Sequence, residues 1–411
     1  MSHRSLYLRV AGLFLVGLTA FCADWPQWRG PARDGKSPET GLLQAWPEGG
    51  LTPLWVAEGL GEGYSAVTVA NGVIYVTGMV GEQGLGVLSA FDLAGTRLWR
   101  TPYGPEWNEG SYPGARSSAT ITGGRGYLLS GHGVAVCFDA QSGAVVWSRD
   151  VAQAFGGKAP RCGFAESLLV FENRAICTPG GPDASLVTLD KATGETVWTT
   201  KGFSEQSAYC SPILIERGGK PWIVTITAEH VIGIDAATGE LAWKHPQDPD
   251  AEDPNHSVAP VFSDGCLYAT SGHGDGGQML AFADDGRSVE QRWTDATLNT
   301  LHGGLVCVDG YVYGTNSRGK WVCLELRTGA VMWEERGVGR GSIAYADGML
   351  YCYGEKGAMG LVKATPEGYV ETGRFEVTHG EGQHWAHPVI AGGGLYLRHG
   401  DTLGAYAIAK K

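Results

Sequence analysis

Charge is scarce in this chain of 411 residues. Only 18% are Asp, Glu, Lys or Arg, against ~25% in ordinary soluble domains. Coiled coils and helical solenoids depend on Lys- and Glu-rich surfaces, and a chain this poor in both, with 64 glycines, is neither. Basic runs are missing too: 31 Lys and Arg stand against 43 Asp and Glu, a formal charge of −12. That balance removes the electrostatic basis for holding nucleic acid or anionic lipid. No C-x-x-C, C-x-x-C-H, adjacent cysteine pair, G-x-S-x-G or H-E-x-x-H occurs. Dithiol redox, covalent haem, the nucleophile elbow and the zincin site are thereby excluded. What is present points elsewhere. A hydrophobic content of 43% is too high for disorder, and glycine without a G-x-y period is not collagen. With 14 Trp and 16 Tyr, the composition describes a turn-rich, mostly β protein.

Residues 1–22 read as a secretory signal. Arg4 and Arg9 precede an uncharged stretch from Val10 to Phe21, and Ala20-Phe21-Cys22 offers small residues for cleavage before Ala23. Soluble export to the periplasm or medium is expected, with a lipid anchor on Cys22 as the lesser alternative. No later run reaches membrane-spanning length. The eight remaining cysteines lie mostly in apolar strands such as Val136-Cys137-Phe138, as buried small hydrophobes do, although an oxidising compartment permits one or two disulfides.

The decisive feature is repetition. Four segments share acid-x-x-[T/S]-G-x-x-x-W: Asp139 to Trp147, Asp190 to Trp198, Asp235 to Trp243 and Glu325 to Trp333. Asp92 to Trp99 is one residue short, Asp284-Asp285-Gly286 leads to Trp293 in degenerate form, and Glu367-Gly368 leads to Phe375 where Trp is expected. Acid, hydroxyl and glycine make a tight turn, and Trp supplies a flat surface for docking the next unit. Upstream of each turn stands a short apolar strand, a glycine turn and an aromatic strand, as in Val69-Ala-Asn-Gly72-Val-Ile-Tyr75. Each unit is thus four strands, A to D, a propeller blade. The anchors at 99, 147, 198, 243, 293, 333 and 375 recur at blade-sized intervals, and Trp55 lies one further period upstream. The last unit, from His387, has no Trp strand of its own, so the strand at Trp55 should complete it and close an eight-bladed ring. The expected organisation is therefore a signal at 1–22, an arm at 23–50 and an eight-bladed, all-β propeller at 51–411, acting as a monomer. Seven blades would follow if the Phe375 unit were irregular.

These turns, with Trp25-Pro-Gln-Trp28-Arg-Gly-Pro-Ala-Arg33-Asp-Gly near the N-terminus, resemble the PQQ-binding-like β-propeller repeat family. The resemblance covers nearly all of residues 24–411. It implies one of two lives. Quinoprotein alcohol dehydrogenases of the family bind pyrroloquinoline quinone (PQQ) with a metal ion such as Ca²⁺, whereas BamB-like relatives are cofactor-free envelope scaffolds. The dehydrogenases carry an adjacent cysteine pair and a Glu, Asn and Asp metal set, and this chain has no adjacent pair. Only Asn255, with Glu166 and Glu381 as loose candidates, lies near the right positions. No metal set is assigned.

In a propeller the residues just before strand A of every blade converge on one channel mouth. Here those positions hold Tyr64, Arg116, Arg161-Cys162, Tyr209, His256, His302, Arg340 and His384-Trp385-Ala386-His387. Six of eight blades place Arg or His there, which suits an anionic or polyhydroxylated small ligand or an acidic segment of an envelope protein. The plain alternative is strand-end side chains bonding neighbouring backbone. Trp55, Trp99, Trp147, Trp198, Trp243, Trp293 and Trp333 are assigned to blade docking. The cluster Asp248-Pro-Asp250-Ala-Glu252-Asp253 reads as a solvated loop and Gly272 to Gly277 as a hairpin. The expected function is an exported binding or scaffold protein, the alternative a PQQ-dependent dehydrogenase of alcohols or sugars. Acid/base chemistry by the channel histidines ranks third.

Overall fold

The computed structural model describes residues 23–247, 255–272 and 276–410. The signal segment and the carboxylates of residues 248–253 lie outside the described residues, as do His273, Gly274 and Asp275. Eight four-stranded antiparallel sheets form the ring. Their inner strands A are Thr68–Ala70, Thr120–Thr122, Leu169–Phe171, Ile213–Arg217, Val261–Ser263, Val306–Val308, Gly341–Ala346 and Val389–Ala391. The eighth blade takes its outer strand, Trp55–Ala57, from the opposite end of the chain, paired with Thr402–Ala407. Closure therefore happens as the spacing expects. It is held by Arg398, 2% exposed, whose guanidinium donates to Thr77 O (2.7 Å), Gly61 O (2.9 Å) and the Ser65 hydroxyl. Burial lowers its pKa to about 10, still a full cation at neutral pH.

Between blades, Trp meets glycine. A Cβ on Gly143 would lie 2.5 Å from the Trp99 ring of the preceding blade, and one on Gly194 2.9 Å from Trp147. Gly95, Gly239 and Gly329 face Trp55, Trp198 and Trp293 in the same way. The indole of Trp147 donates to Lys191 O (3.0 Å) and that of Trp293 to Arg327 O (3.1 Å), within the next blade's turn. The turns themselves are built as their composition requires: the Asp190 carboxylate accepts from Ala192 N and Thr193 N, and Gly194 takes φ +76°.

Two seams differ. At the degenerate turn, Gly286 meets Trp222, while Trp243 stands edge-on to Phe282 at 5.2 Å. At Phe375 the arm intervenes: Trp46 packs edge-on to that ring at 5.9 Å and Gly50 lies against it. A smaller side chain suffices where the arm supplies the bulk. The sequence also hides a bulge. In seven blades the C–D register slips next to the docking position, as between Cys137 and Phe138, so Val146, Val197 and Met332 point outward, exposed. All eight described cysteines are free, and seven are buried.

The arm does more than cover a seam. Trp25 pairs with Val69 of blade 1, and Pro26 O accepts from Ile121 N of blade 2. Arg33 donates to Ser167 O (2.7 Å) and Leu168 O (3.2 Å) of blade 3. Arg29 donates to Leu305 O of blade 6 and Ile343 O of blade 7. A segment bonded to inner strands on opposite sides of the ring crosses the channel. Residues 24–37 are a plug.

A candidate binding cavity at the channel mouth

Strand A of every blade begins at the same end of the ring, so the loop residues before it meet there. Hydroxyls fix the spacing: Thr68 donates to Ala119 O (2.6 Å), Thr120 to Leu168 O (2.7 Å), and Ser211 accepts from Ser167 N (2.9 Å). Each joins one inner strand to the next. The result is a cavity of about 410 Å³ to which all eight blades contribute, through Tyr64, Arg116, Cys162, Tyr209, Asn255, His302, Arg340 and Trp385. Trp28 of the plug supplies its floor. The sequence assigned Trp28 only to the N-terminal arm and did not mark Tyr112, which is 46% exposed at the rim.

Three of the expected mouth residues do not line this cavity. Arg161 is exposed outside it. His256 is fully buried and lies 3.2 Å from Ala228 O. His384 turns into blade 8, where Nδ1 meets the Tyr353 hydroxyl at 2.6 Å and the ring stacks on His399 at 3.5 Å. Burial, then the neighbouring His399 and His379, pushes the His384 pKa down to about 4. His387 does line the wall. Burial and the adjacent Arg29 cation keep it well below the usual histidine range, and its Nδ1 accepts from Arg29 at 3.2 Å.

The cations of the wall are mostly spoken for. Arg340 binds Glu355 at 2.7 Å, and His302 shares that carboxylate at 2.8 Å. Burial alone would raise Glu355, but hydrogen bonds and charge from His302 and Arg340 outweigh it and lower its pKa. Arg116 lies over Tyr64 and donates to Gly114 O (2.7 Å) and Tyr112 O. Among the described residues no carboxylate pairs with it.

Aromatic faces dominate instead. Trp385 touches Tyr112 (4.7 Å), His302 (5.0 Å) and Tyr64 (5.1 Å) between ring centroids. Tyr112 and Tyr209 both hold left-handed backbone, φ 61° and 69°. Bulky residues adopt that conformation at a cost, and such strain gathers at functional sites.

A metal-bound quinone fits these residues poorly. Among the described residues no Asp or Glu lines the cavity, and Asn255 and hydroxyls alone make a weak set for a hard cation. Cys162 is the one described cysteine that lines it. Glu166, a loose candidate for that set, is buried away from the cavity; Thr178 donates to it through N (2.7 Å) and Oγ1 (2.6 Å). Burial carries Glu166 up to about 7 against those bonds. Glu381 is exposed and borders a different groove, beside Glu62 and Asp401. Elsewhere Glu205, Glu229 and His230 bring ligand atoms within 4.8 Å, but Glu205 is already bonded to His230 (2.6 Å) and Thr227 (2.5 Å).

Residues 84–335 match the sequence profile of the family described as outer membrane protein assembly factor BamB. No curated protein sequence matches the chain. Among solved structures, BamB from Moraxella catarrhalis superposes with a TM-score of 0.64 at 14% identity, covering 88% of this chain and 98% of that one. Quinohemoprotein alcohol dehydrogenase from Comamonas testosteroni gives 0.68 at 13% identity, covering 94% and 81%. Quinohemoprotein alcohol dehydrogenase ADHIIG from Pseudomonas putida gives 0.71 at 12%, covering 95% and 81%. At these identities the structures speak for the fold alone.

Proposed function

We propose that this chain, which belongs to the family described as outer membrane protein assembly factor BamB, is an exported propeller that serves the cell envelope as a binding scaffold. One observation carries the reading: the residues leading into all eight inner strands meet in a single cavity floored by the plug. A ring that only needed to close would have no use for strained tyrosines and a half-exposed aromatic cluster at one mouth. Among the described residues the wall offers no carboxylate of the kind a quinone-bound metal would need, which favours binding over oxidation. Export rests on the sequence of residues 1–22 and on the family's printed description. The scaffold works as a monomer in this reading.

The test is cross-linking in the native host. A photoreactive residue replacing Tyr112 at the cavity rim should capture an envelope component, and one replacing Thr193 in the opposite turns should not. The protein recovered from the envelope should lack its first 22 residues. Capture from neither position, or equally from both, overturns the reading.

A further inference from the structure

The wall of the cavity says what class of small molecule it would take. Its volume of about 410 Å³ lies within the ~300–1,000 Å³ of small-ligand sites. Trp385, Tyr64 and Tyr112 offer flat apolar faces at one side. Around them stand neutral groups able to donate and accept: Ser211, Asn255, Ser257 and the Tyr209 hydroxyl. The Tyr209 hydroxyl accepts from Cys162 N at 3.1 Å, and Ser257 donates to Leu301 O, which leaves the Ser257 oxygen able to accept from a ligand hydroxyl. A molecule matching this wall has an apolar face and a rim of hydroxyls.

Charge accounting adds the second element. Arg340 and His302 are countered by Glu355, which sits behind the wall and does not line the cavity. Arg116 has no carboxylate partner among the described residues, yet it lies beside the aromatic platform, over Tyr64 and bonded to the carbonyl of Tyr112. A neutral ligand would leave that cation with no contacting carboxylate, since buried Glu106 acts on it only through space. A polyanion such as a tricarboxylate would find, of the two guanidiniums lining the cavity, one without an ion pair among the described residues. One carboxylate balances the site.

We propose that the cavity binds an acidic saccharide, a pyranose carrying a single carboxylate, with its ring face on Trp385 and its carboxylate at Arg116. The proposal rests on the reading of the cavity as the binding site and names its ligand class.

The experiment is calorimetric titration of the full mature chain with D-glucuronate, D-glucose and benzoate in parallel, each checked by saturation-transfer NMR. Glucuronate should bind saturably, with glucose about tenfold weaker, the fold-change expected for losing one charge-assisted hydrogen bond. Benzoate, which has the carboxylate and a flat ring without hydroxyls, should not saturate. Arg116→Gln should reduce glucuronate to the level of glucose and leave glucose unchanged, Arg116→Lys should keep part of the difference, and Trp385→Ala should abolish both. Equal affinity for glucose and glucuronate, indifference to Arg116→Gln, or no saturable sugar binding overturns the proposal. Benzoate binding without sugar binding also overturns it. A Tyr112 cross-link obtained alongside any of these failures would leave the scaffold reading standing and remove only the ligand class.

Discussion

The ring has two ends built by the same eight repeats, and they obey different rules. At the outer belt four turns repeat one solution: carboxylate, hydroxyl, glycine at positive φ, and the preceding blade's Trp laid against that glycine. At the channel mouth the equivalent positions hold Tyr, Arg, Cys, Tyr, Asn, His, Arg and Trp, with no residue recurring in adjacent blades. The belt is where sequence is spent on folding. The mouth is where folding leaves the side chain free to vary, and its strained tyrosines lie against the local preference of the backbone.

The largest effect should come from the clamp that joins the two ends of the chain. Arg398→Met would strand the carbonyls of Gly61 and Thr77 inside the blade 8 to blade 1 seam. We expect a loss of about 3–5 kcal/mol in urea unfolding, and a loss under 1 kcal/mol would mean the seam is held by strand pairing alone.

A matched pair of glycines sharpens the belt. Gly143 and Gly72 both have φ near +75°, but only Gly143 faces a Trp; around Gly72 there is open space. Gly72→Ala should cost about 1 kcal/mol for the backbone alone, and Gly143→Ala about 2–3 kcal/mol once the clash with Trp99 is added. Equal costs would show that docking contributes nothing.

Glu166 gives the belt and plug a pH signature. Its folded pKa of about 7 exceeds the ordinary 4.5, so the native state binds the proton more tightly. The associated stability is present in full below pH 4.5, falls as pH rises and is gone above about pH 7. Glu166→Gln should flatten thermal unfolding across that window, and an unchanged slope would show that another group titrates there.

The smallest effect on stability should lie at the mouth. Tyr112→Gly relieves a left-handed tyrosine and should leave stability within about 0.5 kcal/mol or raise it, while removing one face of the Trp385 cluster. A destabilised Tyr112→Gly protein would place Tyr112 with the folding residues rather than with the site.

How much of this was legible follows from the same contrast. The belt repeats, so the spacing of Trp55 through Trp333 yielded eight blades and the shared last blade. The mouth was legible by position, because strand polarity in a propeller fixes which loops converge. It was not legible by direction. His256 and His384 occupy mouth positions but turn into the blades, where buried carbonyls and the Tyr353 hydroxyl claim their ring nitrogens. Trp28 was missed for a different reason: nothing local in Pro26-Gln-Trp28-Arg29 reveals that Arg29 and Arg33 will satisfy carbonyls on opposite sides of the channel. Long-range bonds of that kind leave no periodic trace.

Cys162 allows the most direct test of the cavity, because it lines the wall and is the one described cysteine that is not buried. Native protein treated briefly with iodoacetamide should be alkylated at Cys162 ahead of all other cysteines, and the alkylated protein should no longer form the Tyr112 cross-link. Alkylation spread evenly over the cysteines, or a cross-link that survives modification of Cys162, would contradict the account.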